Sequence, residues 1–204
     1  MFCRCNWLAI LLVIMTMTLS GCSQPKLQPL PYGARILAFG DSLTAGYGVE
    51  RIYSYPSVLA ELSGRDVINA GVSGELTKQG IERLPFLLDQ TMPELLLLIE
   101  GGNDILQNRP ANETKQNLAK MIEMAQGRGI PVVLVGIPEK SLFSSSAALY
   151  RELAVEYDLV FDGNLMAALQ RSPSLKSDYV HFNQQGYQQM AEGIFALLKE
   201  NGAF

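Results

Sequence analysis

Arg35-Ile36-Leu37-Ala38-Phe39-Gly40-Asp41-Ser42-Leu43-Thr44-Ala45-Gly46 is the stretch on which the rest of the chain turns. It begins as an apolar run of strand type, breaks at Gly40, and presents Ser42 just past the strand end. In an open parallel sheet, ligands bind outside the carboxyl ends of the strands. A serine in that place is a candidate nucleophile, provided a base and oxyanion donors meet it.

The 204 residues are 48% hydrophobic and 18% charged, enough for one domain with a full core. The net charge of -4 argues against a nucleic-acid partner, which calls for a basic face. All three cysteines, Cys3, Cys5 and Cys22, lie near the start. Arg4 precedes an uncharged apolar run, Trp7 to Leu19, too short to span a bilayer comfortably but suited to a signal peptide. It ends in Leu19-Ser20-Gly21-Cys22, which resembles the bacterial lipobox, where a small residue precedes the cysteine that is lipidated. Residues 1–21 are thus expected to be a lipoprotein signal peptide and Cys22 the lipidation site; the alternative is a short uncleaved anchor. After processing, no thiol remains for a disulfide or a thiolate metal site. Ser23 after the cysteine, if the sorting rule for such proteins applies, favours the outer membrane, with the domain facing the periplasm. Residues 22–34, with Pro25, Pro29 and Pro31, read as lipidated N-terminus and tether, and 35–204 as the folded domain.

Within that domain strands and helices alternate. Asp66 to Ala70, Glu94 to Ile99, Pro131 to Ile137 and Leu159 to Phe161 read as further strands. Helical spacing covers Ser54 to Leu62, Thr77 to Asp89, Glu113 to Gly127, Ser145 to Tyr157 and Gln184 to Glu200. The pattern predicts an α/β fold: a parallel sheet of about five strands, covered by helices on both faces. Several strands end in small or polar residues: Gly40-Asp41-Ser42, Asn69-Ala70-Gly71 and Gly101-Gly102-Asn103-Asp104. On one edge of a parallel sheet such ends make a site.

A serine hydrolase needs a base, a group that orients it and donors for the oxyanion. The chain has one histidine, His181, with Asp178 three residues before it, a spacing that puts both on one side of a turn. A lone histidine is as readily a surface or core residue. Asn103, after two glycines, can point its amide above Ser42, and Gly71 and Ser42 offer backbone N–H groups. The Gly101–Asp104 stretch is equally readable as a plain capping turn.

Taken together, Gly40-Asp41-Ser42-Leu43, Gly71, Gly102-Asn103-Asp104 and Asp178-x-x-His181 resemble, in order and approximate spacing, the GDSL or SGNH hydrolase family, in the bacterial branch of periplasmic thioesterase I, lysophospholipase L1 and arylesterase. The resemblance implies a three-layer α/β/α sandwich of flavodoxin-like type and serine hydrolysis of esters or thioesters, with no metal and no cofactor. It implies Ser42 as nucleophile, His181 as base, Asp178 as orienting group, and Ser42, Gly71 and Asn103 as oxyanion donors. Its substrates would be short or medium acyl esters, acyl thioesters or lysophospholipids, hydrolysed by a monomer. An envelope carbohydrate O-deacetylase and a non-catalytic lipoprotein are the alternatives. Two segments depart from the family pattern: Pro138 to Ser146, beside the expected acyl pocket, and Asp178-Tyr179-Val180-His181-Phe182, whose two aromatic residues are expected to narrow the rim of the site unless they pack against the last helix.

Overall fold

The computed structural model describes residues 26–139 and 145–204. The expected signal peptide, Cys22 and most of the departing Pro138–Ser146 segment therefore lie outside the described residues. Five strands, β1 (Arg35–Gly40), β2 (Asp66–Gly71), β3 (Leu95–Ile99), β4 (Val132–Val135) and β5 (Val160–Asp162), form one wholly parallel sheet in the order β2-β1-β3-β4-β5. Every residue of β3 and β4 is buried, as their unbroken apolar runs require of strands covered on both faces.

Among the described residues eight α-helices follow in chain order: α1 (Ser42–Ala45), α2 (Tyr55–Ser63), α3 (Thr77–Thr91), α4 (Gly102–Leu106), α5 (Ala111–Gln126), α6 (Ala148–Glu156), α7 (Leu165–Gln170) and α8 (Gln184–Glu200). Helices α2 and α7 pack on α8, while α3 and α6 pack on α5, so the sheet lies between two helical layers. In α8 the stripe Tyr187, Met190, Ala191, Ile194 and Leu198 is buried, at the three- and four-residue steps of one helix face. The chain leaves β2 on one side of β1 and returns as β3 on the other. This is the switch point at which open α/β sheets form their crevice, and it sets Ser42 and Asn103 side by side.

The expected strands and long helices are present, with ends displaced by at most three residues. The one-turn helices α1 and α4 and the short α7 were not expected, because a single turn is too short to display a 3.6-residue period. One boundary is corrected. The proline-containing stretch before Arg35 is not a free tether: Leu27 and Leu30 are 4% and 7% exposed and belong to the core. Leu27 N–H donates to Asn201 O (3.0 Å) and Leu30 N–H to Ala203 O (2.9 Å), while Arg65 Nη2 donates to Leu30 O (2.9 Å). The folded unit reaches back at least to Leu27, because two leucines three residues apart find an apolar seat beside the end of α8.

Leu27→Ala and Leu30→Ala should each lower unfolding free energy by about 2 kcal/mol, the cost of deleting a buried leucine side chain at a partly relaxing site. Chemical denaturation measures it. A loss below about 0.5 kcal/mol, typical of surface positions, would return this segment to the status of a tether.

Candidate active site

Asp41 caps the one-turn helix α1 by accepting the Leu43 N–H on its side chain (3.0 Å), and Gly46 closes the turn at φ 83°. Ser42 is thereby held at the carboxyl end of β1. Its Oγ lies 3.0 Å from His181 Nε2, and His181 Nδ1 lies 2.7 Å from Asp178 Oδ2. The second Asp178 oxygen accepts the N–H groups of Val180 and His181, both at 2.8 Å. This turn, rather than a helix, is what brings the residues at i and i+3 together. Those amide donors and the imidazole hold the Asp178 carboxyl down at about 2. An ionised Asp178 takes the Nδ1 proton, which leaves Nε2 free to accept from the serine hydroxyl. The Tyr47 ring lies over the imidazole with centroids 4.3 Å apart, and Tyr187 Oη donates to Tyr47 O (3.0 Å). Tyr47 carries no motif signal of this contact in the sequence.

Asn103 sits in the first turn of α4. Its Nδ2 donates to Glu75 O (2.9 Å) and lies 3.4 Å from Asp41 Oδ2, a contact long enough to yield to a substrate oxygen. The structure corrects the expectation for Gly71. Val72 N–H pairs across to Gly40 O (3.0 Å), so the preceding N–H points the other way, toward the free edge of the sheet. There Gly71 N–H donates to Asn69 Oδ1 (3.0 Å), turned away from Ser42. Gly71 serves a steric purpose instead: a Cβ on it would stand 2.0 Å from Ala45 N. Through Glu75 O, Asn103 is tied instead to the turn that carries Gly74, which is closed by Glu75 N–H to Val72 O (3.2 Å); the Gly74 φ of 82° suits glycine.

Behind the serine is an acidic cluster. Burial pushes the Asp41 carboxyl up to about 6, against the pull of the Leu43 N–H and of His181. Glu75 is ion-paired with Arg83, whose Nη2 also donates to Ala70 O (2.8 Å) and Gly40 O (3.2 Å), tying together the ends of β1 and β2. Asp104 accepts Thr77 N–H (2.9 Å) and Thr77 Oγ1 (2.7 Å), which caps α3. Glu100 is fully buried, and both its carboxyl oxygens lack a partner among the described residues. Burial first, then the charges of Asp41 and Glu75, hold it well above the usual carboxylate range, so it is kept neutral. No group of three or more His, Cys, Asp or Glu among the described residues is arranged to hold a metal ion.

A cavity of about 340 Å³ opens beside Ser42 and His181, near the lower end of the ~300–1,000 Å³ of small-molecule sites. Leu43, Ile105, Leu106, Ile137 and Val180 make much of its wall apolar, and Arg171 and Lys176 stand on it as cations. The two aromatics beside His181 separate. Tyr179 is 76% exposed and lines the cavity, whereas Phe182 is buried against Tyr187, ring edge to face at 5.7 Å. Only Tyr179 shapes the rim.

A model of the GDSL-like lipase/acylhydrolase family matches residues 38–189. The chain is 42% identical over 108 residues to an arylesterase of Vibrio mimicus, a match spanning 50% of this chain and 54% of that protein. It is 30% identical over 157 residues to thioesterase 1/protease 1/lysophospholipase L1 of Escherichia coli K12, over 73% of this chain and 76% of that one. Among solved structures it is similar to AlinE4, an SGNH-hydrolase family esterase, with a TM-score of 0.64 at 32% identity, covering 84% of this chain and 97% of that one.

The neutral Glu100 has a measurable consequence. Above its ordinary value of 4.5 the unfolded chain releases the Glu100 proton while the folded chain keeps it. Its contribution to stability is therefore complete below that pH and is lost as pH rises toward the folded value. Denaturation of wild type and Glu100→Gln across pH 4 to 9 should show wild type losing stability relative to the variant as pH rises. Parallel curves would mean that Glu100 is not held neutral.

Proposed function

The chain belongs to the GDSL-like lipase/acylhydrolase family, and from that premise we propose that it is a serine esterase hydrolysing carboxylic esters or thioesters through an acyl-enzyme on Ser42. The observation that carries this reading is the hydrogen-bonded line Ser42 Oγ–His181 Nε2–Asp178, at 3.0 and 2.7 Å. Ser42 Oγ attacks the carbonyl carbon as its proton passes to Nε2. Nε2 then gives that proton to the leaving alcohol or thiol. A water enters, loses a proton to Nε2, and its oxygen releases the acid from Ser42, which takes the proton back. Asp178 stabilises the imidazolium formed in each half. As the first residue of α1, Ser42 has no carbonyl within the helix for its N–H. With Asn103 Nδ2 and, in place of Gly71, the N–H of Gly74, it makes the oxyanion site.

The apolar cavity favours short to medium acyl chains over acetylated sugars, which call for a more polar wall. A non-catalytic lipoprotein has no use for a serine, imidazole and carboxylate held in this order. The envelope placement rests on the sequence alone: residues 1–21 as a lipoprotein signal peptide, Cys22 as the lipidated residue, and the outer membrane as destination, with residues 27–204 folded in the periplasm.

A panel of nitrophenyl esters from acetyl to palmitoyl, with acyl-coenzyme A and an acetylated sugar, tests the activity. Ser42→Ala should lose it, and Asn103→Ala should lower kcat by about 10²–10³-fold with little change in KM, the loss expected of one oxyanion donor. Wild type no faster than Ser42→Ala on every substrate would refute the enzyme reading. The dominance of an acetylated sugar over all acyl esters would favour the deacetylase.

A further inference from the structure

Residues 26–30 and the catalytic mouth sit at opposite edges of the sheet. Ser42, Asn103 and the cavity wall at Ile137 and Pro138 follow the carboxyl ends of β1, β3 and β4. The N-terminal segment is fastened at the other edge. Arg65, which holds Leu30 O, directly precedes β2; Asp158, which pairs with Lys26 at 2.6 Å, and Leu159 directly precede β5. Helix α8 measures the separation. Its cap, Asn183, stands two residues after His181, and Asn201, at its far end, accepts the Leu27 N–H. Its 17 residues span roughly 25 Å at 1.5 Å per residue.

Resting on the esterase and Cys22-lipidation readings above, we infer that the catalytic mouth is held facing away from the membrane that anchors the protein, so that its substrates are esters or thioesters arriving through the aqueous phase and not acyl lipids embedded in the anchoring leaflet. Only five peptide steps separate Cys22 from Leu27. Fully extended they reach about 17 Å. To press the mouth onto the same leaflet the domain must turn over, which lifts Leu27 about a helix length, roughly 25 Å, above the surface. The chain cannot span that gap without tearing Leu27 and Leu30 from their buried seats. A domain tipped on its side points the mouth along the membrane plane, where an embedded acyl chain still has to leave the bilayer to enter. Among the described residues no helix is long and apolar enough to cross a membrane and hold the domain otherwise. The consequence is selective. Short acyl esters and soluble thioesters pay no extraction cost, whereas each further methylene on a membrane-embedded substrate adds to it.

Full-length lipidated protein is reconstituted into vesicles that also contain palmitoyl lysophosphatidylcholine or, if detergent micelles show that the protein prefers it, another long-chain ester turned over in dispersed form. A variant carrying 30 Gly/Ser residues between Gln24 and Pro25 gains a flexible reach of about 30 Å. The insert should raise hydrolysis of the embedded lipid tenfold or more while leaving nitrophenyl butyrate hydrolysis in the surrounding buffer within twofold. Equal rates on the embedded lipid with and without the insert would overturn the inference alone. Protein that fails to float with the vesicles or to take up radiolabelled palmitate overturns the anchor reading, and failure to hydrolyse nitrophenyl butyrate overturns the esterase reading; either takes the inference with it.

Discussion

Helix α1 rests directly on the sheet because two side chains are missing beneath it. The register pairs Gly40 with Gly71 on one side and with Ile99 on the other, so both glycines lie at one level, where β1 and β2 end. A Cβ at Gly40 would stand 2.0 Å from Ile99 O and 2.4 Å from Thr44 Oγ1, and one at Gly71 would stand 2.0 Å from Ala45 N. Real atoms cannot approach so closely, so any larger residue at either place lifts α1 off the strand ends and carries Ser42 with it. The seat is locked from both sides. Thr44 is fully buried and its hydroxyl meets Tyr55 Oη at 3.2 Å. Arg83, with its guanidinium 3.9 Å over the Phe39 ring, holds the carbonyls of Gly40 and Ala70. The 3.0 Å approach of Ser42 to His181 depends on this floor, since the imidazole arrives from a distant loop and cannot follow a displaced serine.

Carboxyl groups around the site have different environments and different charges. Asp178 is part-exposed, collects two amide donors and the imidazole, and stays ionised. Asp41 and Glu100 are buried, and burial raises both. Among the described residues Arg83 is the cation bonded within this group, and its charge goes to Glu75. A second buried negative charge beside Asp41 would have no counterion, so Glu100 keeps its proton. The result is one firm negative charge on the solvent side of His181, where it favours imidazolium, and behind Ser42 a cluster in which Arg83 is paired with Glu75 and burial raises Asp41 and Glu100.

The sheet and its long helices were readable because their signals are long. Four leucines and an isoleucine in β3 cannot be mistaken for a surface segment, and α8 displays its buried stripe over 17 residues. Ser42, His181 and Asp178 were readable through their motifs and through the singularity of the histidine. What escaped depends on directions and distances that no one-dimensional pattern records. Gly71 looked like an oxyanion donor because it ends a strand, yet the alternation of N–H directions along β2 turns its amide to Asn69. Leu27 and Leu30 were hidden among prolines, and only the far end of the chain, at Asn201 and Ala203, explains their burial. Phe182 and Tyr179 look alike beside His181, but one faces the core and the other the cavity. The Glu100 side chain follows a strand of apolar residues and gives no sign in sequence that it will find no hydrogen-bond partner among the described residues.

In the proposed reaction Ser42 Oγ, and no other hydroxyl, is the atom that attacks. Intact-mass measurement after exposure to an alkyl fluorophosphonate, with peptide mapping of the adduct, tests it most directly. One phosphonyl group per chain is expected, on Ser42, absent from Ser42→Ala and strongly slowed in His181→Ala. Labelling of a different serine, or no labelling of a folded protein that hydrolyses esters, would contradict it.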